Sequence, residues 1–528
     1  MSGFVERVIE DWLTSTDERG YQKAFVSCLI RQGHTVKYVS PHGPFEHGKD
    51  VVSVDPDGRL CAFQLKAGPI SKAAWQPIRQ EMLDACLVPV DVPGLRKRRP
   101  GRVVLVLSGR LSDPVRNEIG LLNDEQRERA YAEIEVVELS ELVAMLASAF
   151  EDFFPHVLGP PALLIRLYLQ DGRGPQDKAG LFSVLMSLCP PDVGQRKTRR
   201  ALANVVVAAQ FAAAPYRKAA NHIAELDTWV LAACSILLIA KQKALLRSLW
   251  HLPFELCWQA IESSSEQLLS EAFSREDLLE EADVLVEPFF LPFRRILVEG
   301  YVGAAINARC ILGRDVRDHS ERLLELFNRE RPIALWGEAA WNLLLSCLIA
   351  LRHTPAGELI AEELASIWLR TVCPNTPQEH FDPYWSLGDA LRSRTEETPT
   401  DTNKARISYT AASALDLLAR RMRRRQVAIL WPAVSRYDQA RVVPSRDYAY
   451  LEWLDEGATV ELHRLSYRAS WSVLREDAFR QRASLFEPGI EKLLPFFLCT
   501  YAHRVDRSLA GELDYQTSSD ALRQEWRD

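Results

Sequence analysis

Gly48-Lys49-Asp50-Val51-Val52-Ser53-Val54-Asp55-Pro56-Asp57-Gly58-Arg59-Leu60-Cys61-Ala62-Phe63-Gln64-Leu65-Lys66-Ala67-Gly68 is the stretch on which the fold turns. Val51, Val52 and Val54, then Leu60, Ala62 and Phe63, make two short runs of strand formers, and Asp55-Pro56-Asp57-Gly58 between them is a turn signal. Side chains on a strand alternate faces, so Gln64 and Lys66 share one. Folding back at the turn brings Asp50 towards the level of Gln64.

Outward from this hairpin, Gly20 to Gly33 has apolar residues at 21, 24, 25, 28 and 29. That is the period of an amphipathic helix, with Gly33 placed as its stop. His34 to Val39 reads as a strand. After Lys66 the pattern predicts a helix from Ile70 to Leu87, a buried strand Arg102–Leu107, a charged helix over 114–130, a strand at Ile134–Val137 and a helix from Ser140 to Ala149.

An Asp carboxylate and a Gln amide oxygen are hard donors of the kind Mg²⁺ or Mn²⁺ accepts while keeping waters for phosphate oxygens. Hydrolysis of a phosphodiester needs a water in line with the leaving oxygen and positive charge at the phosphorus, both of which a metal supplies. Lys66 beside such a water either takes its proton, if its pKa is depressed, or stabilises the transition state as a cation.

The order helix, strand, hairpin, helix, strand, with Gly48-Lys49-Asp50 and Gln64-Leu65-Lys66 at these places, resembles the PD-(D/E)XK nuclease superfamily and, within it, the Mrr-like restriction endonuclease branch. The resemblance covers about the first 155 residues. It implies a restriction-endonuclease-like α/β domain with an αβββαβ core. Asp50, Gln64 and the main-chain carbonyl of Leu65 would be the ligands of Mg²⁺ or Mn²⁺, Lys66 the residue serving the water, and DNA the substrate, with RNA open. Relatives commonly carry a Glu in the first helix that points at the metal. The matching place here holds Gln22, and Glu18 lies about one turn earlier, so Gln22 contributes an amide oxygen, or Glu18 substitutes for it, or the site works with fewer charges.

With 528 residues, 47% of them hydrophobic, and a net charge of −7, the chain has material for two or three cores and no global attraction to nucleic acid. Contacts to a phosphate backbone would have to be local. Lys49 and the loop Arg96-Lys97-Arg98-Arg99-Pro100-Gly101-Arg102 are the candidates, the alternative for the loop being a solvated turn. Ten cysteines stand singly without a Cys-x-x-Cys pair, which argues against structural zinc and a disulfide framework. The first residues hold no apolar signal core, and the longest apolar run, Trp229 to Ala240, is short for a bilayer. A cytoplasmic protein with no membrane partner is expected.

Prolines and a glycine between Glu151 and Pro161 suggest a boundary, giving domains 1–155 and 156–528. Beyond it, segments of helical spacing follow one another: 162–170, 178–188, 196–213, 216–246, 253–273, 276–286, 290–312, 318–328, 334–352, 355–372, 405–425, 461–481 and 486–508, with one strand-like stretch, Gln426 to Trp431. This predicts a large all-α, solenoid-like domain, subdivided near 390–404, without a defensible repeat. Phosphate-loop, zinc-protease and serine-hydrolase motifs are absent. Arg420-Arg421-Met422-Arg423-Arg424-Arg425 is a dense cationic run, suited either to the end of a helix or to an acidic partner.

The sequence therefore reads as a metal-dependent endodeoxyribonuclease joined to a helical sensing or assembly domain, in the manner of a regulated effector of bacterial antiviral defence. The helical part would serve a homo-oligomer or a complex with a partner protein. Two alternatives stay open: an RNA-directed nuclease, and a nuclease fold that has lost cleavage and binds nucleic acid or acts as a scaffold. Glutamine at both 22 and 64 is the feature that favours the latter.

Overall fold

A computed structural model describes residues 2–40, 48–92, 95, 97–151, 172–189, 195–275, 287–329, 340–373, 407–408, 410–421, 423–442, 451, 460–464, 470–482, 485, 487, 489–500 and 507–518. The chain is mostly helical, with a small mixed sheet near its N-terminus followed by helices. It divides into two units, Met1–Ala260 and Ile261–Asp528. The boundary expected between 151 and 161 lies, Glu151 apart, outside the described residues, as do the break near 390–404 and the helices expected at 162–170 and 276–286.

In the first unit the order is α1 (Ser2–Ser15), α2 (Glu18–Arg31), β1 (Thr35–Val39), β2 (Val51–Val54), β3 (Leu60–Lys66), α3 (Lys72–Leu87), β4 (Arg102–Leu107), α4 (Asp113–Glu128), β5 (Ile134–Val137) and α5 (Leu139–Glu151). The helices α6 (Lys178–Ser187), α7 (Gln195–Lys218) and α8 (His222–Gln242) follow, and α9 (Arg247–Ser274) begins in this unit. The strands lie in the order β1-β2-β3-β4-β5. The first three pair antiparallel, and β3-β4 and β4-β5 pair parallel. Helix α1 adds to the elements expected, although its apolar residues at 4, 5, 8, 9, 12 and 13 carry the helical period.

Two successive crossovers of one hand, stepping the same way across the sheet, put α3 and α4 on the same face. Their apolar stripes, Trp75, Ile78 and Met82 with Val115, Ile119 and Leu122, close over Ala62, Val103, Leu105 and Leu107 in one core. The opposite face is covered by α2, where the Phe25 and Phe63 rings meet edge-on at 5.4 Å. Helix α2 ends as the sequence predicts: Gly33, at φ +93°, follows the last turn, Gly33 N–H donates to the Ile30 carbonyl and His34 N–H to that of Leu29.

Helix α2 packs on its far side against α7, and every residue from Gly20 to Ile30 is buried. Lys23 is thus inside the unit, 5.8 Å from the centre of the Trp229 ring. Glu225, fully buried, is held by Arg217, and Asp227 pairs with Lys178. Both carboxylates belong to α8, which by length and composition could cross a membrane but has 94% of its apolar window buried in the unit. The apolar run Trp229–Ala240 is lengthened by His222–Thr228, and the paired acids there mark a packed interior helix.

The second unit contains α10 (Glu287–Ile311), α11 (Arg317–Arg329), α12 (Trp341–Leu351), α13 (Pro355–Val372), β6 (Ile407–Ser408), α14 (Ala411–Arg420), α15 (Arg424–Val434), β7 (Asp438–Val442), β8 (Val460–Arg464), α16 (Trp471–Arg480), α17 (Leu494–Thr500) and α18 (Arg507–Gln516), and departs from the sequence expectation in three places. Strands β6, β7 and β8 form a three-stranded sheet, so the unit is not all-α. Gln426 to Trp431 is helical, with Val427 and Leu430 turned inward three residues apart. The helix expected over 461–481 gives its first residues to β8, where Val460-Glu461-Leu462 alternates and pairs with β7.

Three arginines of the cationic run are engaged internally, while Arg424 and Arg425 are exposed. Arg420 shares Asp514 with Arg352, Arg421 pairs with Glu358 and Arg423 with Glu362. Met422 lies outside the described residues. Trp341 and Trp368 are buried with rings 5.1 Å apart, as core residues.

Burial pushes the Lys23 ammonium down to about 8, helped by Arg217 and opposed by Glu225. Between about pH 8 and the ordinary 10.5 the folded chain holds fewer protons on Lys23 than the unfolded one, so stability rises with pH through that window. Lys23→Met is expected to stabilise the protein at pH 7 by on the order of 2 kcal/mol and to flatten part of that rise. Chemical denaturation of both proteins from pH 7 to 10 measures it.

Candidate active site

The carboxyl ends of β3 and β4, where the sheet changes from antiparallel to parallel pairing, gather the polar side chains picked out in the sequence. In open α/β sheets this is where ligands bind. Asp50 stands one step before Val51, which faces Phe63 across the β2-β3 ladder, and is therefore level with Gln64. Its N–H donates to the Phe63 carbonyl at 2.9 Å, and its carboxylate accepts the Leu65 N–H at 2.7 Å. Asp50 and Gln64 are both 5% exposed.

Gln64 and Lys66 point to the α3 face, as alternation from Ala62 requires. There they meet a residue that the sequence reading did not select. Glu81 Oε2 accepts from Gln64 Nε2 at 3.1 Å and pairs with Lys66 Nζ at 2.9 Å. Glu81 sits at the margin of the α3 stripe Ile78, Met82 and Ala85. Helix α3 carries two carboxylates beside its apolar stripe, Glu81 and Asp84, and they were the available signal. The other amide atom, Gln64 Oε1, is buried and has no hydrogen-bond partner.

Glu18 and Gln22 separate. Asp17 caps α2 by accepting the Gly20 N–H at 2.7 Å, and this brings Glu18 to the end of β3, where its carboxylate accepts the Ala67 N–H at 3.3 Å. Gln22 instead directs its Nε2 towards the Ser40 carbonyl at 3.5 Å. Between them Tyr21, fully buried, donates to the carbonyls of Lys66 at 3.0 Å and Val106 at 3.3 Å. Burial, with the charges of Glu18 and Asp50, holds its hydroxyl well above the ordinary range, so it remains a donor.

Burial alone would lower the Lys66 pKa. The hydrogen bond to Glu81 and the charges of Glu81, Glu18 and Asp50 outweigh it, and the pKa lies above the ordinary 10.5. Lys66 is a cation at neutral pH. Among the described residues no three His, Cys, Asp or Glu side chains converge on one point, so a cation here would rely on Asp50, the Gln64 oxygen, main-chain carbonyls and water. The unpartnered Gln64 Oε1 is a donor that fits such an ion.

The candidate nucleic-acid contacts are largely engaged within the fold. Lys49 is buried, its ammonium on the Asp84 carbonyl at 3.3 Å and pushed down to about 8 by that burial, which corrects its reading as a phosphate contact. Lys97 pairs with Asp91, Arg98 donates to the Gly58 carbonyl, and Arg99 donates to the Leu87 carbonyl while lying over the Tyr131 ring. Arg102 makes a bidentate pair with Glu135 on the neighbouring strand. Arg96 lies outside the described residues. Lys97, Arg98 and Arg99 keep these partners while remaining exposed to solvent.

Comparison with protein-family models, with curated proteins and with solved structures finds no match for this chain.

The Gly48-Lys49-Asp50 turn owes its place to its glycine. Gly48 has φ +70°, and a Cβ there would stand 2.0 Å from the Glu81 carbonyl oxygen. Gly48→Ala is therefore expected to cost about 2 kcal/mol or more, read as a lower denaturation midpoint. A midpoint equal to wild type contradicts the contact between this turn and α3.

Proposed function

We propose that the first unit is a metal-dependent nuclease of the PD-(D/E)XK type, related to the Mrr-like restriction endonucleases and acting on DNA. The observation that carries this reading is the orphaned Gln64 oxygen, buried beside Asp50 and on the same face as Lys66. A Mg²⁺ or Mn²⁺ held by Asp50, Gln64 and the Leu65 carbonyl would polarise the phosphate and lower the pKa of a bound water.

The chain's own residues divide the remaining work. The Leu65 N–H fixes the Asp50 carboxylate. Lys66, kept protonated by its acidic neighbours, serves as a fixed positive charge for the phosphate rather than as the base. Glu18, in place of Gln22, is the helix α2 carboxylate nearest the end of β3 and adds negative charge there. The helical remainder would act as the sensing or assembly part of a cytoplasmic defence effector, with self-association or a partner protein controlling cleavage.

Supercoiled and linear DNA, single strands and RNA, incubated with Mg²⁺, Mn²⁺ or EDTA, test the proposal. Cleavage of DNA is expected with metal only, falling at least about 100-fold in Asp50→Ala and Lys66→Ala. Because Lys66 remains charged, the rate should not fall through loss of its proton below about pH 10. Wild type and both variants equally inert, with binding preserved, would support the scaffold reading instead, and cleavage confined to RNA would change the substrate.

A further inference from the structure

A glutamine in a cation site poses a problem that a carboxylate does not. Rotated by half a turn, its amide presents NH₂ rather than oxygen, and NH₂ repels a metal ion. Something must decide which way round it stands. A carboxylate is acceptor-only, so Glu81 is satisfied by the NH₂ of Gln64 and not by its oxygen. It takes that NH₂ at 3.1 Å on the same Oε2 that holds Lys66 at 2.9 Å. The opposite amide atom, Oε1, is left buried and without a partner. Helix α3 is pinned at this residue, since Gly48 lies against the Glu81 main-chain carbonyl with no room for a side chain.

We infer that Glu81 is a positioning residue that locks the Gln64 amide with its oxygen towards the cation site. This rests on the nuclease reading above and deepens it. Glu81 restores the fixed oxygen that a glutamate at position 64 would provide unaided. It does so through Gln64, and its side chain, 40% exposed, stands at the edge of the core. Lys66 balances its charge, so the carboxylate can orient the amide without drawing the metal to itself.

Mn²⁺ titration by calorimetry, on the full chain and with a thermal melt of each variant, tests this. Glu81→Ala is expected to weaken Mn²⁺ binding at least about 10-fold, the scale of lost outer-shell partners. Glu81→Gln, whose amide oxygen still accepts from Gln64, should stay within about three-fold of wild type. In a Gln64→Glu background, where either carboxylate oxygen serves, adding Glu81→Ala should cost nothing. Glu81→Ser repeats the comparison if the alanine variant fails to fold. Unchanged binding in Glu81→Ala overturns the inference, and so does equal loss in Glu81→Ala, Glu81→Gln and the Gln64→Glu background, which would make Glu81 itself a ligand. Wild type binding no more Mn²⁺ than Asp50→Asn would fell the nuclease reading as well.

Discussion

Between Gly20 and Ile30 helix α2 has no face left to water, because the sheet lies on one side of it and α7 on the other. A buried helix must satisfy its polar side chains from within the protein. Tyr21 does so on the carbonyls at the ends of β3 and β4, Ser27 on the Lys23 carbonyl one turn back, and Lys23 against Trp229. The Tyr21 bonds tie α2 to the ends of β3 and β4. They also carry its first turn to the point where Glu18 reaches the Ala67 N–H. The candidate site is assembled by that helix as much as by the hairpin.

Strand β3 faces two environments along its length. Phe63 packs under α2, while Ala62, Gln64 and Lys66 turn towards α3. The polar pair therefore sits where the apolar filling of the α3 face ends, with Glu81 closing the gap. Three acids, Glu81, Glu18 and Asp50, act on one lysine, which explains why Lys66 is held as a cation despite its partial burial. The same arrangement leaves Gln64 Oε1 as a buried acceptor without a donor. A cation is a natural complement for an oxygen in that position.

Much of this was legible in the residues. The turn Asp55-Pro56-Asp57-Gly58, the alternation along Leu60–Lys66 and the glycine stop at Gly33 each specify local structure directly, and the hairpin register followed from them. What could not be read was set by tertiary contact. Glu81 lies fifteen positions beyond Lys66 on another element, and only the packing of α3 on β3 brings it to the site. That Glu18 and not Gln22 reaches the Ala67 N–H follows from how α2 lies on the sheet, where Tyr21 bonds the Lys66 and Val106 carbonyls. Nor does sequence spacing reveal that Tyr131 and Glu135 lie beside Arg99 and Arg102. In the second unit, Val460–Arg464 became a strand because Asp438–Val442 was there to pair with it.

Anomalous diffraction from crystals grown with Mn²⁺ tests the central claim most directly. A peak is expected that is bounded by the Asp50 carboxylate, Gln64 Oε1 and the Leu65 carbonyl, with Gln64 Nε2 still on Glu81. A map with no peak there, or with the Gln64 amide reversed, would contradict the claim.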